Sequence, residues 1–205
     1  VVESTYGNRR HDAADPVHRL REIIRQTVER GGIVLMPAFS VGRSQSLLHA
    51  IQSLKAKGEI DPELPVYLNS PMAIDMTDLY LRHRESQRLL PGEWASVAGV
   101  ARNIRSVEES KLLSQRREPC VIVSASGMAT GGRVLHHLAH VLPDPNNVVL
   151  FTGYQAVGSR GRKLLEGATS IRIHGQEVPA RARVLKISGF SAHADYTEVD
   201  RWLSR

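Results

Sequence analysis

The sequence predicts an α/β fold, a mostly parallel sheet flanked by helices on both faces, and three observations carry that expectation. Short apolar runs alternate with helix-period segments almost throughout, the rhythm of strands joined by helical crossovers. The helical segments are bounded by start and stop residues. The loops that follow strands are built largely from Gly, Ala and Ser, which tight strand-to-helix turns accept.

The elements follow in chain order. An opening strand is expected at Val1-Val2-Glu3. Asp15 and Pro16 mark the start of a first helix over 16–29, since aspartate accepts free amides at an N-cap and proline suits the first helical position. Gly31-Gly32 stop it, and a strand over 33–37 leads to a helix over 44–57 that ends at Gly58. A strand over 66–69 passes through Ser70-Pro71 into a helix over 72–84, whereas residues 89–103 show no clear period. A helix over 108–116 precedes the strand 120–124, the loop 126–132 and a helix over 133–141. Strand 148–152 and helix 161–166 repeat the pattern. The end departs from it. Residues 170–173 and 182–188 flank Gly175-Gln176-Glu177, a hairpin-like signal, and Asp195 opens a last helix with Val199, Trp202 and Leu203 on one face.

A length of 205 residues suits one domain, or one domain with pieces of a second. Aromatics make up 5% of the chain, too few to favour a platform of stacked bases, while 27 Lys+Arg against 21 Asp+Glu give a net charge of +6 that suits a polyanion such as RNA or DNA. Cys120 is the one cysteine and lies in the apolar run Cys120-Val-Ile-Val123, so it reads as a buried hydrophobe in a reducing compartment. No apolar stretch approaches the ~18 residues of a membrane span and nothing at the N-terminus resembles a signal peptide, so the expected location is cytoplasmic, without membrane. The chain opens on Val1 without an initiator methionine, and a piece of a longer protein is expected.

Three strand-to-helix loops end in arginine: Pro37-Ala-Phe-Ser-Val-Gly-Arg43, Ser124-Ala-Ser-Gly-Met-Ala-Thr-Gly-Gly-Arg133 and Thr152-Gly-Tyr-Gln-Ala-Val-Gly-Ser-Arg160. Helix N-termini offer free amides and arginine adds bidentate donors, so Arg43, Arg133 and Arg160, with Ser126, Gly127, Gly131 and Gly132, are candidates for a phosphate-binding rim. The competing reading is that the small residues only permit tight packing. Gly127 to Arg133 approaches a nucleotide-binding P-loop, but Arg133 replaces its lysine and Val134 its magnesium-holding Ser or Thr, so ATP or GTP hydrolysis is not expected. His136 and His140 share a helix face that could in principle take a metal, yet no glutamate follows His136 as in H-E-x-x-H, and structural or solvent-facing roles are expected for His136, His137 and His140.

Gly189-Phe-Ser-Ala-His-Ala-Asp195 places His193 where a strand hands over to a helix, at the edge where open α/β sheets meet ligands. Alone, that histidine serves equally well as a helix cap. Glu3, in Glu3-Ser-Thr-Tyr-Gly7, is a carboxylate that could hold the imidazole in one orientation and favour its protonated form, as a general acid needs.

Together these motifs resemble the β-CASP branch of the metallo-β-lactamase superfamily, the RNA-processing nucleases related to the cleavage and polyadenylation endonuclease and to ribonuclease J. Glu3-Ser-Thr-Tyr-Gly7 is similar to the first β-CASP motif and Ser191-Ala-His-Ala-Asp195 to the second; Pro37 to Arg43, Asn69-Ser-Pro-Met72 and Ser126-Gly-Met128 with Gly131-Gly132 resemble further blocks. The resemblance implies a Rossmann-like three-layer lid over residues 11–175. Residues 1–10 would carry the first motif, 176–205 would return to the partner domain, and the terminal strands would belong to an αββα metallo-β-lactamase scaffold. It implies hydrolysis of RNA phosphodiester bonds with two zinc ions that activate water, His193 protonating the leaving oxygen, Glu3 supporting it, and the arginine rim holding flanking phosphates. The expected partners are RNA and the metallo-β-lactamase domain of the same parent chain, and a homodimer is allowed. The chain has no H-x-H-x-D-H block, so no zinc ligand is assigned within it and these residues are expected to be inactive alone. A non-catalytic nucleic-acid or nucleotide-binding module and a scaffold subunit remain as alternatives.

Overall fold

The computed structural model describes residues 1–12, 14–86, 89 and 93–205. Helix α1 (Pro16–Glu29) starts at Asp15, whose Oδ1 accepts the Val17 amide at 2.9 Å, and its buried stripe Leu20, Ile23, Ile24 and Thr27 follows the helical period. Strand β1 (Ile33–Pro37) is buried along its whole length and leads to α2 (Arg43–Ala56). Then come β2 (Val66–Asn69), α3 (Pro71–Arg82), α4 (Glu93–Gly99), β3 (Arg102–Asn103), α5 (Val107–Ser114) and β4 (Cys120–Ser124). The chain finishes with α6 (Val134–Val141), β5 (Val148–Phe151), α7 (Arg160–Leu165), β6 (Ser170–Ile173), β7 (Gln176–Pro179), β8 (Arg183–Lys186) and α8 (Tyr196–Leu203).

Six strands form one sheet in the order β3-β2-β4-β1-β5-β8, and every pairing in it is parallel. β1, β2, β4 and β5 are buried on both faces, as parallel strands under crossover helices are. One core cluster joins α1 to α4 to the sheet through Val34, Met36, Leu68, Val121 and Leu150. The other joins α5, α6, α7 and the β6–β7 hairpin through Leu35, Ile122, Val149 and Phe151. Alternate residues of β1 therefore serve opposite layers, which is the three-layer arrangement expected.

Three details differ from the sequence reading. Residues 1–4 carry no strand, and Tyr6 makes only an isolated parallel bridge to Asp195. The hairpin partner of β6 is β7, not 182–188: His174 (φ 48°) and Gly175 (φ 82°) both lie in the left-handed region, as a two-residue turn of this hand requires, so pairing resumes at Gln176. The 182–188 segment instead crosses over, the Arg181 and Ala182 amides donating to the Leu142 carbonyl, and β8 joins the edge of the parallel sheet beside β5. Residues 1–4 thus carry no strand here, and β8 is an edge member of the parallel sheet. Within 89–103, α4 buries only Trp94 and Val97, one helical step, too short a period to register in the sequence.

Because the strands run in parallel, the loops after β1, β2, β4, β5 and β8 gather on one edge. They interlock there. Ser40 Oγ lies 3.2 Å from Ser70 Oγ, Gln155 Nε2 donates to the Gly127 carbonyl at 3.0 Å, and the Gly161 amide donates to the Met128 carbonyl at 3.2 Å.

Candidate functional site

The turn from β8 into α8 is held from both sides. Gly189 has φ +134°, and a Cβ there would lie 3.0 Å from the Pro16 ring, so the start of α1 packs directly on this glycine. Six residues on, Asp195 caps α8: its Oδ1 accepts from the Thr197 amide (2.9 Å), the Thr197 hydroxyl (2.6 Å) and the Glu198 amide (3.0 Å), while Glu198 Oε2 accepts the Asp195 amide in return (3.0 Å). Oδ2 accepts the His11 amide at 2.9 Å, so one carboxylate caps the helix and anchors the N-terminal segment to it. The Thr197 hydroxyl first, then the His11 amide, hold the Asp195 carboxyl far below the usual range.

This anchoring brings Glu3 to His193. Glu3 Oε1 accepts the Ala194 amide at 2.9 Å and Oε2 accepts the Thr5 amide at 3.1 Å, and the same Oε2 lies 3.3 Å from His193 Nδ1. Amide donation, chiefly from Thr5 and then from Ala194, holds the Glu3 carboxyl below its ordinary range, and the nearby His193 adds to this. Glu3 is therefore an anion at neutral pH, and the imidazole nitrogen facing it is the one that donates. His193 Nε2 has no partner among the described residues, and the side chain is 55% exposed.

His11 and Tyr6 complete the cluster. His11 Nε2 lies 2.8 Å from the His193 carbonyl and so donates to it, and the Tyr6 ring sits edge-on to both imidazoles at 5.4 Å from His11 and 6.1 Å from His193. Val2, Glu3, His11, Ser191, His193 and Trp202 help to line an open cleft of ≈ 650 Å³. The arrangement can present an aimed imidazole N–H to a substrate oxygen. Glu3 and His193 were legible in the sequence. Tyr6, His11 and Asp195 were not assigned roles, although all three lie within or beside the same two motifs.

Of the arginine rim, only Arg43 is brought near this cluster. Its guanidinium is half-buried, burial lowers its pKa, Tyr6 partly offsets that, and Nη1 is buried without a partner beside Gly153. Arg9 meanwhile lies 5.5 Å over the Tyr154 ring, joining the N-terminal segment to the loop after β5. Arg133 is committed elsewhere, donating to Asn69 Oδ1 (2.9 Å) and to the carbonyls of Ile104 (3.0 Å) and Arg105 (2.7 Å). Arg160 donates to the carbonyls of Arg172 (2.8 Å) and Thr130 (3.1 Å). Ser126 Oγ pairs with Thr130 Oγ1 at 3.1 Å. A Cβ on Gly127 would meet the Phe39 backbone nitrogen at 3.0 Å, and one on Gly132 (φ +78°) the Ala125 carbonyl at 2.9 Å, so both glycines are required by packing. Gly131 leaves open space.

Among the described residues, no group of three or more His, Cys, Asp or Glu side chains is arranged to hold a metal ion. His137 is fully buried. Its Nε2 lies 2.7 Å from Asn69 Nδ2 and its Nδ1 3.1 Å from Ser114 Oγ, and burial followed by neighbouring cations pushes its pKa down to about 4.

Comparison with known proteins gives this geometry a context. The Beta-Casp domain family matches residues 44–164, more than half of the chain. The chain belongs to this family. A Zn-dependent metallo-hydrolase RNA specificity domain matches residues 177–205 further along, so the Beta-Casp match covers α2 to α7 while His193 falls in the second match. The chain is 37% identical over 210 residues to Ribonuclease TTHA0252 of Thermus thermophilus, covering 99% of this chain and 48% of that protein. It is 36% identical over 219 residues to an RNase J-like protein of Methanocaldococcus jannaschii, covering 100% of this chain and 48% of that one. Transcription termination factor FttA of the same organism is 33% identical over 220 residues, 100% of this chain and 34% of its own length. This Beta-Casp chain therefore spans about half or less of these curated relatives.

Proposed function

We propose that this chain is the lid and RNA-binding half of a zinc-dependent ribonuclease, in which His193 donates a proton to the leaving oxygen and Glu3 aims it. The observation that carries the reading is the 3.3 Å contact between His193 Nδ1 and Glu3 Oε2, with Glu3 itself fixed by two backbone amides. As the phosphorus–oxygen bond breaks, charge builds on the departing ribose oxygen. A proton from His193 Nε2 neutralises it, and the Glu3 carboxylate holds the imidazole in the orientation that aims this nitrogen. Arg43, with its unpartnered buried Nη1, is the rim arginine placed to hold an adjacent phosphate. RNA as substrate is supported by the relatives named as ribonucleases.

The metal belongs to the remainder of the parent protein, a metallo-β-lactamase domain in this reading, and no step in this chain runs through it. Its seat is the outer face of α8, which buries no residue and exposes Tyr196, Trp202 and Leu203 beside the cleft. A cytoplasmic location and a homodimer belong to the same proposal.

His193→Ala in the full-length protein tests it. Turnover of RNA is expected to fall by ~10²-fold or more, with metal content unchanged. An unchanged rate would overturn the assignment.

A further inference from the structure

A second feature lies away from His193, in the groove between α5 and α6. It encloses ≈ 280 Å³ and is lined by Val107, Ser110, Lys111, Ser114, Gln115, Arg133, His136 and His140, with no carboxylate among them. Lys111 and His140 form no hydrogen bond or ion pair among the described residues. His174, at the tip of the β6–β7 turn, stacks on His136 with ring centroids 4.5 Å apart, so a third imidazole adjoins the groove from another element. The groups that face His136 are His174 from the hairpin, His140 and Arg133 from α6 and its start, and Lys111 from α5.

The floor is fixed from beneath. Ser110 (6% exposed) accepts from Asn69 Nδ2 at 2.7 Å, Ser114 (9% exposed) donates to the Ser110 carbonyl at 3.0 Å and meets His137, and Arg133 ties the same Asn69 to the 104–105 backbone. A buried, satisfied hydrogen-bond network thus supports a rim that carries the unpaired Lys111 ammonium and the His140 imidazole. Like charges held close on a rigid floor are destabilised until an anion arrives.

We infer that the groove formed by Lys111, His136 and His140 is a phosphate-binding site that holds an RNA phosphodiester outside the cleft of His193. Arg133, at one end of the groove, starts α6 on the same sheet edge as the turn that carries His193. Its ≈ 280 Å³ leaves room for a phosphate group. The inference rests on RNA being the substrate, but it does not depend on how the strand is cut.

The test is histidine-selective NMR on the full-length protein, titrated with inorganic phosphate and, separately, with a short oligoribonucleotide. The imidazole signals of His136, His140 and His174 are expected to shift with the oligoribonucleotide, more tightly at pH 6 than at pH 8. A Lys111→Ala, His140→Gln double variant should bind it roughly 10-fold more weakly, with a shallower salt slope. Shifts with inorganic phosphate but not with the oligoribonucleotide would overturn the site as one for RNA, as would no shift with either. His193→Ala is read separately by turnover. RNA-dependent shifts together with normal turnover in that variant would remove the proton-donor assignment and leave the groove standing.

Discussion

His193 owes its position to residues that touch no substrate. His11 donates to the His193 carbonyl at 2.8 Å, and its own amide is held by Asp195, so its ring fixes the peptide that carries the imidazole. Truncation to His11→Ala should lower kcat on RNA by roughly 10-fold with KM little changed, since a misplacement of the order of 1 Å can cost ~10²-fold. His11→Gln, which can place an amide N–H where Nε2 was, should recover most of that loss, measured by steady-state kinetics; equal loss in both would assign His11 to packing alone. His137 behaves differently because it is buried and kept neutral, with a pKa of about 4 against an ordinary 6.5. Between those values the unfolded chain binds a proton that the folded chain refuses, so stability rises with pH across that window. The full difference is about 3 kcal/mol, absent above pH ~6.5 and fully expressed below pH ~4. Urea unfolding at pH 4.5 and pH 7.5 should show the loss in the parent protein, and His137→Gln should flatten it; the same slope in the variant would place the titrating group elsewhere.

Most elements were legible in the sequence because one local signal sufficed for each. Asp15-Pro16 starts α1, Ser70-Pro71 starts α3 with Ser70 Oγ accepting the Ala73 amide at 3.2 Å, and the uninterrupted apolar runs became β1, β2, β4 and β5. What could not be read depended on partners distant in the chain. The segment 182–188 looks equally suitable for a hairpin or a parallel edge, and two positive φ angles at His174 and Gly175 decide between them by closing the hairpin early. Arg133 looked like a phosphate ligand because it ends a glycine-rich loop, yet the oxygens that claim it belong to Asn69, Ile104 and Arg105. Gly189 marks the joint between elements, with φ +134° and Pro16 against the position of a side chain. Gly189→Ala should therefore destabilise the fold by about 1–3 kcal/mol, read as a lowered urea midpoint, and should also lower turnover by moving the β8–α8 turn. Lowered stability with unchanged turnover would show that the turn keeps its geometry without the glycine.

At the scale of the molecule, the sheet and two helical layers are closed units, while α8 is not. It carries an amphipathic sequence, yet none of its residues is buried, and Trp202 and Leu203 are each 61% exposed. A helix of this pattern is stabilised mainly by the surface its apolar face covers, and here that face borders the cleft through Val199 and Trp202. On the function proposed above, the covering surface is the remainder of a longer ribonuclease, since residues 177–205 match a Zn-dependent metallo-hydrolase RNA specificity domain and the chain spans about half of the relatives it matches. Covering the exposed part of Trp202 would contribute roughly 2 kcal/mol from apolar area. Trp202→Lys in the full-length protein is accordingly expected to loosen the two halves, with faster proteolytic cleavage between them and lower RNA turnover, while far-UV circular dichroism of the Beta-Casp sheet stays the same. Because Glu3 and His193 sit at the N-terminal end of the same helix, the loss should appear in kcat before metal content falls. Unchanged proteolysis and unchanged turnover would mean that this face meets solvent in the parent protein, and the seat for the metal-bearing half would have to lie elsewhere.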